Sequence, residues 1–532
     1  MSLSPAVVTR EEDRTFNINN ITTNTTGYVG MFKWGAVEQV TRISAQETEL
    51  VQKFGRPDKE TSLYFHSALN YLLYANPLLI VRVVGDDARN AVTNSNDPIL
   101  IKNNTQYESL NLTGYSFIGR YPGALANGII ISVATEAEYD TWDYRGEFVY
   151  TPAADEFNLV VVDGSGFITG VAGTVLERYE LLSKTEGAKR PDGTSAFVKK
   201  VLFEQSRWVL CGDESSIDFT STSSLGVYEV ELSDGVDDND AGNTDFEAGW
   251  SVFSNSELYD VFRVFTSGSS DLGKTTAIDV AVQRQDMIVF VAPELDNVYN
   301  TEDAEINVSE YFLNTINKNT SYAFYVDNWK QVYDKYNDTY IWIPTDSDAA
   351  ALHARLGVQN ELWFSPAGLN RGQIKNVIKL AWNPNKSQRD HLYKNSINSI
   401  VSFPGEGTVL WGDKTALRRP SAFSRINVRT LFIILKKNIS SAARYQLFEF
   451  NDFITRSTFT RSTTQYLDTV QSRRGVTEFR VVCNESNNTP EVIDNNDFVG
   501  DIYVKPNRVI NTIRLNFVAV ATGVSFEEIE GQ

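Results

Sequence analysis

Cysteine, histidine and long apolar runs are all scarce in this sequence, and each shortage removes a class of protein. Only two cysteines, Cys211 and Cys483, occur in 532 residues, each inside a strand-like apolar run (WVLC and FRVVC). They read as two buried free thiols rather than a bridge, the pattern of a chain kept in a reducing compartment. The three histidines, His66, His353 and His391, share no ligand spacing, so no zinc site is expected. The longest apolar runs, such as LLIVRVV and LFIIL, are far too short to span a bilayer. The opening MSLSPAVVTREEDRTF lacks the apolar core of a signal peptide. The expectation is a cytosol-made chain with no membrane insertion.

Positive charge is short as well. The formal net charge is -20, which opposes a nucleic-acid role, because phosphate backbones repel such a surface. The deficit is uneven: from His353 to Gln532 there are 23 Lys and Arg against 16 Asp and Glu, whereas the residues before them hold 25 against 52. A basic C-terminal third can face an acidic partner while the acidic remainder faces solvent. Hydrophobic residues at 42% and charged residues at 22% are ordinary for a globular protein, and at roughly 100 to 200 residues per domain the length implies three or four domains.

Along the chain, residues 1–23 are polar, rich in Thr and Asn, and read as an extended arm. A strand-like run (GYVGMFKWG) and two helical stretches follow, the first opened by Ser44 and closed by Gly55, the second (TSLYFHSALNYLLYA) stopped at Asn76-Pro77. His66 reads as a packed helical histidine. From 88 to 245, short apolar runs (NGIIISVAT, FNLVVVD, SAFVKKVLF, SRWVLCG) between turn residues mark a β-rich domain. Its last loop, DGVDDNDAGNTD, fails the calcium-loop template, since Ala248 stands where the bidentate Glu is needed. Farther on, DSDAAALHARLG, RINVRTLFIILKKNI, SAARYQLFEFNDF and STTQYLDTVQSRRG read as helices. TEFRVVC, FVGDIYVKP and INTIRLNFVAV read as closing strands, the last alternating Ile513, Leu515, Phe517 and Ala519 on one face.

One motif carries chemistry. Residues 268–275, GSSDLGKT, satisfy the phosphate-loop pattern, with an apolar run before and a helix-like stretch after. Such a loop surrounds phosphates with backbone N–H groups at a helix N-terminus; Lys274 would reach the outer phosphates and Thr275 would hold Mg²⁺. Hydrolysis also needs a carboxylate at the end of a neighbouring strand, and MIVFVAPELD supplies only Glu294 and Asp296, both late. GTVLWGDKT fails the pattern, and no G-x-S-x-G, H-E-x-x-H or Cys–His arrangement occurs.

The C-terminal third is recognisable by its landmarks in order: VYDKYNDTYIWIP, WFSPAGLNRGQIKNVIKLA, QRDHLYKNSIN, GTVLWGDKT, INVRTLF, YQLFEFND, TRSTF, EFRVVCNESNNTPEVIDNN and IYVKPNRVINTIRLNFVAVATGVSFEE. LSPAVVTREED, GYVGMFKWG and LVQKFGRP agree at the other end. These segments resemble the tail sheath proteins of contractile-tailed bacteriophages, strongly over 1–87 and 320–532 and thinly between. Ala6 replaces the Gly that the family usually carries after Ser-Pro, and the modest β-rich middle implies that any extra outermost domain is absent.

The resemblance implies a multidomain α+β protein: discontinuous mixed α/β inner and middle domains, an inserted β-rich outer domain, and extended terminal arms. The expected boundaries are an arm at 1–23 joined to an inner, tube-facing domain at 384–532, a middle domain at 24–87 plus 246–383, and the insertion at 88–245. It implies a non-enzymatic sheath subunit without cofactor or metal, assembled as hexameric rings in the host cytoplasm and working in the virion. Implied partners are copies of itself, the tail tube protein, and the baseplate and tail terminator proteins, with no direct nucleic acid. Pro5, Val7, Val8, Ile513, Leu515, Phe517 and Val518 are then the candidate inter-subunit arm residues, and Arg456 and Arg461 the candidates facing the tube. The rivals are the sheath of a related contractile injection system and a P-loop NTPase.

Overall fold

Short apolar runs bounded by turn residues build the centre of the protein. The computed structural model describes residues 24–44, 47–93, 97–219, 228–511 and 513–514. They fall into two compact units, one ending at Leu447 and the other beginning at Phe448.

In the larger unit an eight-stranded sheet runs in the order Gly407–Trp411, Ile397–Phe403, Ala323–Val326, Ile288–Val291, Arg263–Phe265, Thr26–Gly30, Leu78–Arg82 and Val40–Ile43. All pairings are parallel except the outermost at each edge. Parallel sheets need cover on both faces, and the inner strands TGYVG, LLIVR, RVF, IVFV and AFYV are buried throughout. Helices Ser62–Leu72 and Asp346–Gln359 pack together as one group, Asn243–Ser251 and Asp271–Arg284 as another. Burying a Val, Leu, Ile or Phe side chain is worth about 1.5–3 kcal/mol, so these strands contribute strongly to the stability of the unit.

The β-rich insertion contains the antiparallel sheet Thr174–Leu182, Phe157–Asp163, Ile129–Thr135 and Tyr228–Glu231, with a second pair, Phe117–Gly119 and Val209–Cys211. Trp34 from the sheet domain enters its core, its ring 5.2 Å from that of Trp208. Arg82, wholly buried, donates to the carbonyls of Phe32, Gly35 and Pro122, tying the sheet to the insertion; burial lowers its pKa to about 10. One run departs from its strand-like reading: in SAFVKKVLF, Val198–Gln205 is a helix that buries Val198, Val201 and Leu202. That spacing of i, i+3, i+4 is helical.

The multidomain α+β expectation holds, and the central sheet continues past residue 384. Ile397–Phe403 extends the central sheet, stitched by the carboxylate of Asp327, which accepts from the Ile400 N–H at 2.8 Å, and by Asn398, which donates to the carbonyls of Tyr325 and Lys414. Residues 384–447 therefore belong to the larger unit. The helix expected over SAARYQLFEFNDF also ends early: helix Ile426–Ala443 gives way to a 3-10 turn at Arg444–Gln446, and Phe448 takes a left-handed φ of 70°.

The terminal unit packs helix Phe453–Ser472 against a hairpin of Val476–Val482 and Asp501–Pro506, registered from Val482 opposite Asp501 to Val476 opposite Pro506. Asp452 caps the helix by accepting from the Thr455 N–H at 2.8 Å, a bond that lowers the Asp452 pKa.

Candidate functional site

The phosphate-loop motif lies where an α/β ligand site is expected. Strand Arg263–Phe265, a turn, helix Asp271–Arg284 and the parallel strand Ile288–Val291 form the β-α-β unit that the sequence indicates. From Thr26–Gly30 the chain builds the sheet outward first through Leu78–Arg82 and then, on the other side, from Arg263–Phe265. Ligands favour the crevice at such a reversal. An open cleft of about 760 Å³ is present there, lined by Met31, Tyr64, Phe246, Gly268, Thr275 and Glu294 among others.

The chain's own groups occupy the parts that would bind phosphate. Lys274, 3% exposed, pairs with the Glu294 carboxylate and donates to the Tyr311 hydroxyl at 3.0 Å. Tyr311 in turn donates to Asp271; burial first, and the Glu294 charge second, hold this phenol far above its usual pKa. The Thr275 hydroxyl donates to the Leu272 carbonyl at 2.8 Å, back onto its own helix. Just before the motif a buried carboxylate holds the strand end: Asp346 accepts from the Thr266 N–H at 3.0 Å and from the Ser267 hydroxyl. Burial raises its pKa to about 6.

The motif glycines have packing reasons. Gly268 has φ +75°, and a Cβ there would meet the Tyr64 ring at 2.5 Å; one at Gly273 would meet Phe246 Cβ at 2.8 Å. Ser270 caps the helix by accepting from the Gly273 N–H at 3.2 Å. Among the described residues, no group of three His, Cys, Asp or Glu is placed to hold a metal ion. Glu294 pairs with the Lys274 amine, Asp346 feels its charge and Asp271 accepts from Tyr311, negative charge that disfavours a nucleotide's phosphates.

The other predicted residues divide. Pro5, Val7, Val8, Leu515, Phe517 and Val518 lie outside the described residues, whereas Ile513 is described and exposed. Arg456 and Arg461 share helix Phe453–Ser472. Arg461 is exposed. Arg456 is buried and donates to the carbonyl and side-chain oxygens of Asn451 at 3.3 and 3.0 Å, so its guanidinium serves the fold of the unit rather than a surface. Sequence reasoning missed the exposed apolar side chains Phe448, Phe450, Phe453 and Ile454; their signal was the run LFEFNDFI, most of which was read as helix within SAARYQLFEFNDF. Both cysteines are buried free thiols.

Comparison with known proteins places the whole chain. A family model described as phage tail sheath protein central domain matches residues 239–416, and one described as phage tail sheath C-terminal domain matches 418–519. The tail sheath protein of Salmonella phage ViI is 32% identical over 628 aligned positions, covering 99% of this chain and 98% of that one. That of Enterobacteria phage T4 is 31% identical, with 99% of each chain covered. Among solved structures, a sheath tail protein of Listeria innocua superimposes with a TM-score of 0.55 at 12% identity, over 91% of this chain and 94% of that one. The sheath complex of an extracellular contractile injection system in its contracted state gives 0.52 at 13% identity, over 99% of each. The two structures speak for the fold. On full-length identity above 30% to tail sheath proteins, the chain belongs to the phage tail sheath protein family.

Proposed function

We propose that the chain is a structural subunit of a contractile tail sheath and performs no catalytic step. Copies stack as six-fold rings around a tail tube in an extended, metastable lattice. A baseplate signal triggers contraction, which drives the tube through the host envelope for genome delivery. The energy resides in lattice contacts rather than in a nucleotide, a reading supported by the engagement of Lys274 with Glu294 and Tyr311. The partners are other copies, the tube protein, and the baseplate and terminator proteins; the place of work is the virion, after assembly in the host cytoplasm. In this reading the β-rich insertion faces outward and the terminal unit faces the tube.

The observation that carries the assembly reading is the hairpin of the terminal unit. A two-stranded sheet alone is marginal in water. Among the described residues, no third strand pairs with either outer edge of Val476–Val482 and Asp501–Pro506. Open edges accept strands from other chains. The β-alternating segments around Pro5, Val7 and Val8 and around Ile513, Leu515, Phe517 and Val518 are the strands we assign to neighbouring copies. Main-chain bonds of this kind hold while the bodies they link rotate.

Electron microscopy of the purified full chain tests the reading. Hollow, striated tubes are expected, and loss of ordered tubes with folded bodies is expected on deleting residues 1–20 or 523–532. Persistent monomers that turn over ATP would sink the proposal in favour of the NTPase; normal tubes after both deletions would remove the arms from it.

A further inference from the structure

Lys330 and Asp348 form, among the described residues, the one ion pair in which both side chains are wholly inaccessible. Lys330 lies on strand Trp329–Asp334, Asp348 in the first turn of helix Asp346–Gln359. Asn70, buried on helix Ser62–Leu72, completes the group. The Lys330 Nζ is 2.9 Å from Asn70 Oδ1 and 2.9 Å from Asp348 Oδ1, and it donates to the Lys375 carbonyl at 2.8 Å. The Asn70 amide nitrogen donates to the Ser347 hydroxyl at 3.0 Å, and the Tyr74 hydroxyl to Asp348 Oδ1 at 2.9 Å. The second Asp348 oxygen, Oδ2, is buried with no hydrogen-bond partner among the described residues.

An amine, a carboxamide and a carboxylate are thus held together out of water. The carboxamide carbon lies one C=O bond from Oδ1, so the amine nitrogen is within about 4.1 Å of it. Groups fixed at that range react as parts of one molecule, the loss of motion having been met by folding. A lysine amine is a nucleophile once neutral, and burial lowers the Lys330 pKa. A wholly buried ion pair is costly to keep charged; passing the proton to Asp348 replaces two charges by an amine and an acid. A purely structural pair leaves the idle Oδ2 unexplained, whereas a proton carrier has a use for it.

We propose that Lys330 and Asn70 join through an isopeptide bond, formed inside the folded chain with Asp348 as the proton carrier. The Lys330 nitrogen adds to Asn70 Cγ, and the Cγ–Nδ2 bond breaks. Of the three protons on the Lys330 ammonium, one stays on the new amide and two pass by way of Asp348 to the departing nitrogen, which leaves as ammonium. Charge is conserved, Asp348 ends as it began, and nothing is oxidised or reduced. Lys375, whose carbonyl borders the group, is exposed, which sets the surface beside the reacting atoms.

The bond ties a helix to a strand 260 positions farther along the chain. A cross-link constrains the unfolded chain more strongly the longer the loop it closes. Both elements belong to the larger unit, and the chemistry depends on the folded unit alone, whatever lattice the chain joins.

Mass spectrometry of the full-length chain tests the proposal. Trypsin acting on the unfolded chain is expected to release residues 60–82 and 319–335 as one branched fragment, lighter by one ammonia than the two together and uncut after Lys330. Recovery of the two segments apart, with the cut after Lys330 made, overturns the proposal, and this reading of the parent chain decides the matter even where a variant fails to fold. Asp348→Asn keeps the shape of the side chain and cannot carry the proton, so the branched fragment should fall at least about tenfold in freshly made chain; a parental yield removes Asp348 and the reaction written here. Asn70→Ala should restore the ordinary cut after Lys330, and a lysine that stays blocked in that variant overturns Asn70 as its partner.

Discussion

In the larger unit even a wholly buried lysine has its partners: Lys330 Nζ donates to Asn70 and Asp348 at 2.9 Å and to the Lys375 carbonyl at 2.8 Å. In the terminal unit, four large apolar side chains face water and, among the described residues, a two-stranded sheet has both outer edges unpaired. Phe167, Leu258 and Val358 of the larger unit are exposed too, so the contrast rests on the sheets, eight strands finished in one unit against two left open in the other. A protein that must assemble gains from this division, because the finished unit folds and keeps its shape in any lattice while the open unit takes its missing contacts from neighbours.

The largest expected effect would break the comparison at the finished side. Asp348→Ala leaves the Lys330 ammonium buried without its carboxylate, and removing one partner of a buried pair costs about 3–5 kcal/mol. Denaturant unfolding of the full chain should show that loss, against less than about 0.5 kcal/mol for Phe450→Ser in the terminal unit. Comparable losses at the two positions would mean that the units do not differ in completeness.

A somewhat smaller effect sharpens the same contrast through pH. Burial pushes Asp327 up to about 7 and Asp346 up to about 6, whereas an unfolded Asp ionises near 4. Between those values the folded state binds more protons than the unfolded one, so these groups lower stability as pH rises from about 4 to 7. Asp327→Asn keeps an oxygen for the Ile400 N–H and cannot ionise. Its advantage over the parent should grow across that window to the order of 3–4 kcal/mol and then level off. Parallel stability–pH curves for the two proteins would refute the assignment.

Local features were legible in the sequence where neighbours in the chain decide them. Residues 268–275 showed their strand, turn and helix because apolar periodicity and Ser270 are local signals, and the hairpin strands at TEFRVVC and IYVKP were visible for the same reason. The role of Lys274 was not legible: Glu294 and Tyr311, which occupy it, arrive from the next strand end and from a later helix. Nor was that of Asp346, which holds the Ser267 hydroxyl from 79 residues farther along the chain. The motif named residue types at a spacing, and the question it raised was settled by long-range partners that no spacing reports. The sheath landmarks were more telling than the motif because many segments in order constrain the whole chain. Even they did not report that Ile397–Phe403 joins the central sheet, since that rests on long-range pairings such as that of Tyr325 with Ile397.

The smallest expected effect on stability concerns two arginines on one helix. Arg456 is bonded to Asn451 inside the unit, so Arg456→Met should weaken the terminal unit by about 1–3 kcal/mol, the cost of leaving buried polar partners unmade. Arg461 is exposed, and Arg461→Glu should change unfolding by less than about 0.5 kcal/mol. If Arg461 meets acidic patches on the tube, its reversal acts on association instead. A surface charge steers encounter, so binding to isolated tubes should slow at low salt and recover as salt screens the repulsion. Tube-free self-assembly should continue at parental yield, since the open strand edges are untouched. Unchanged tube binding at low salt would take Arg461 out of the tube-facing surface; lost self-assembly would place it at a contact between copies.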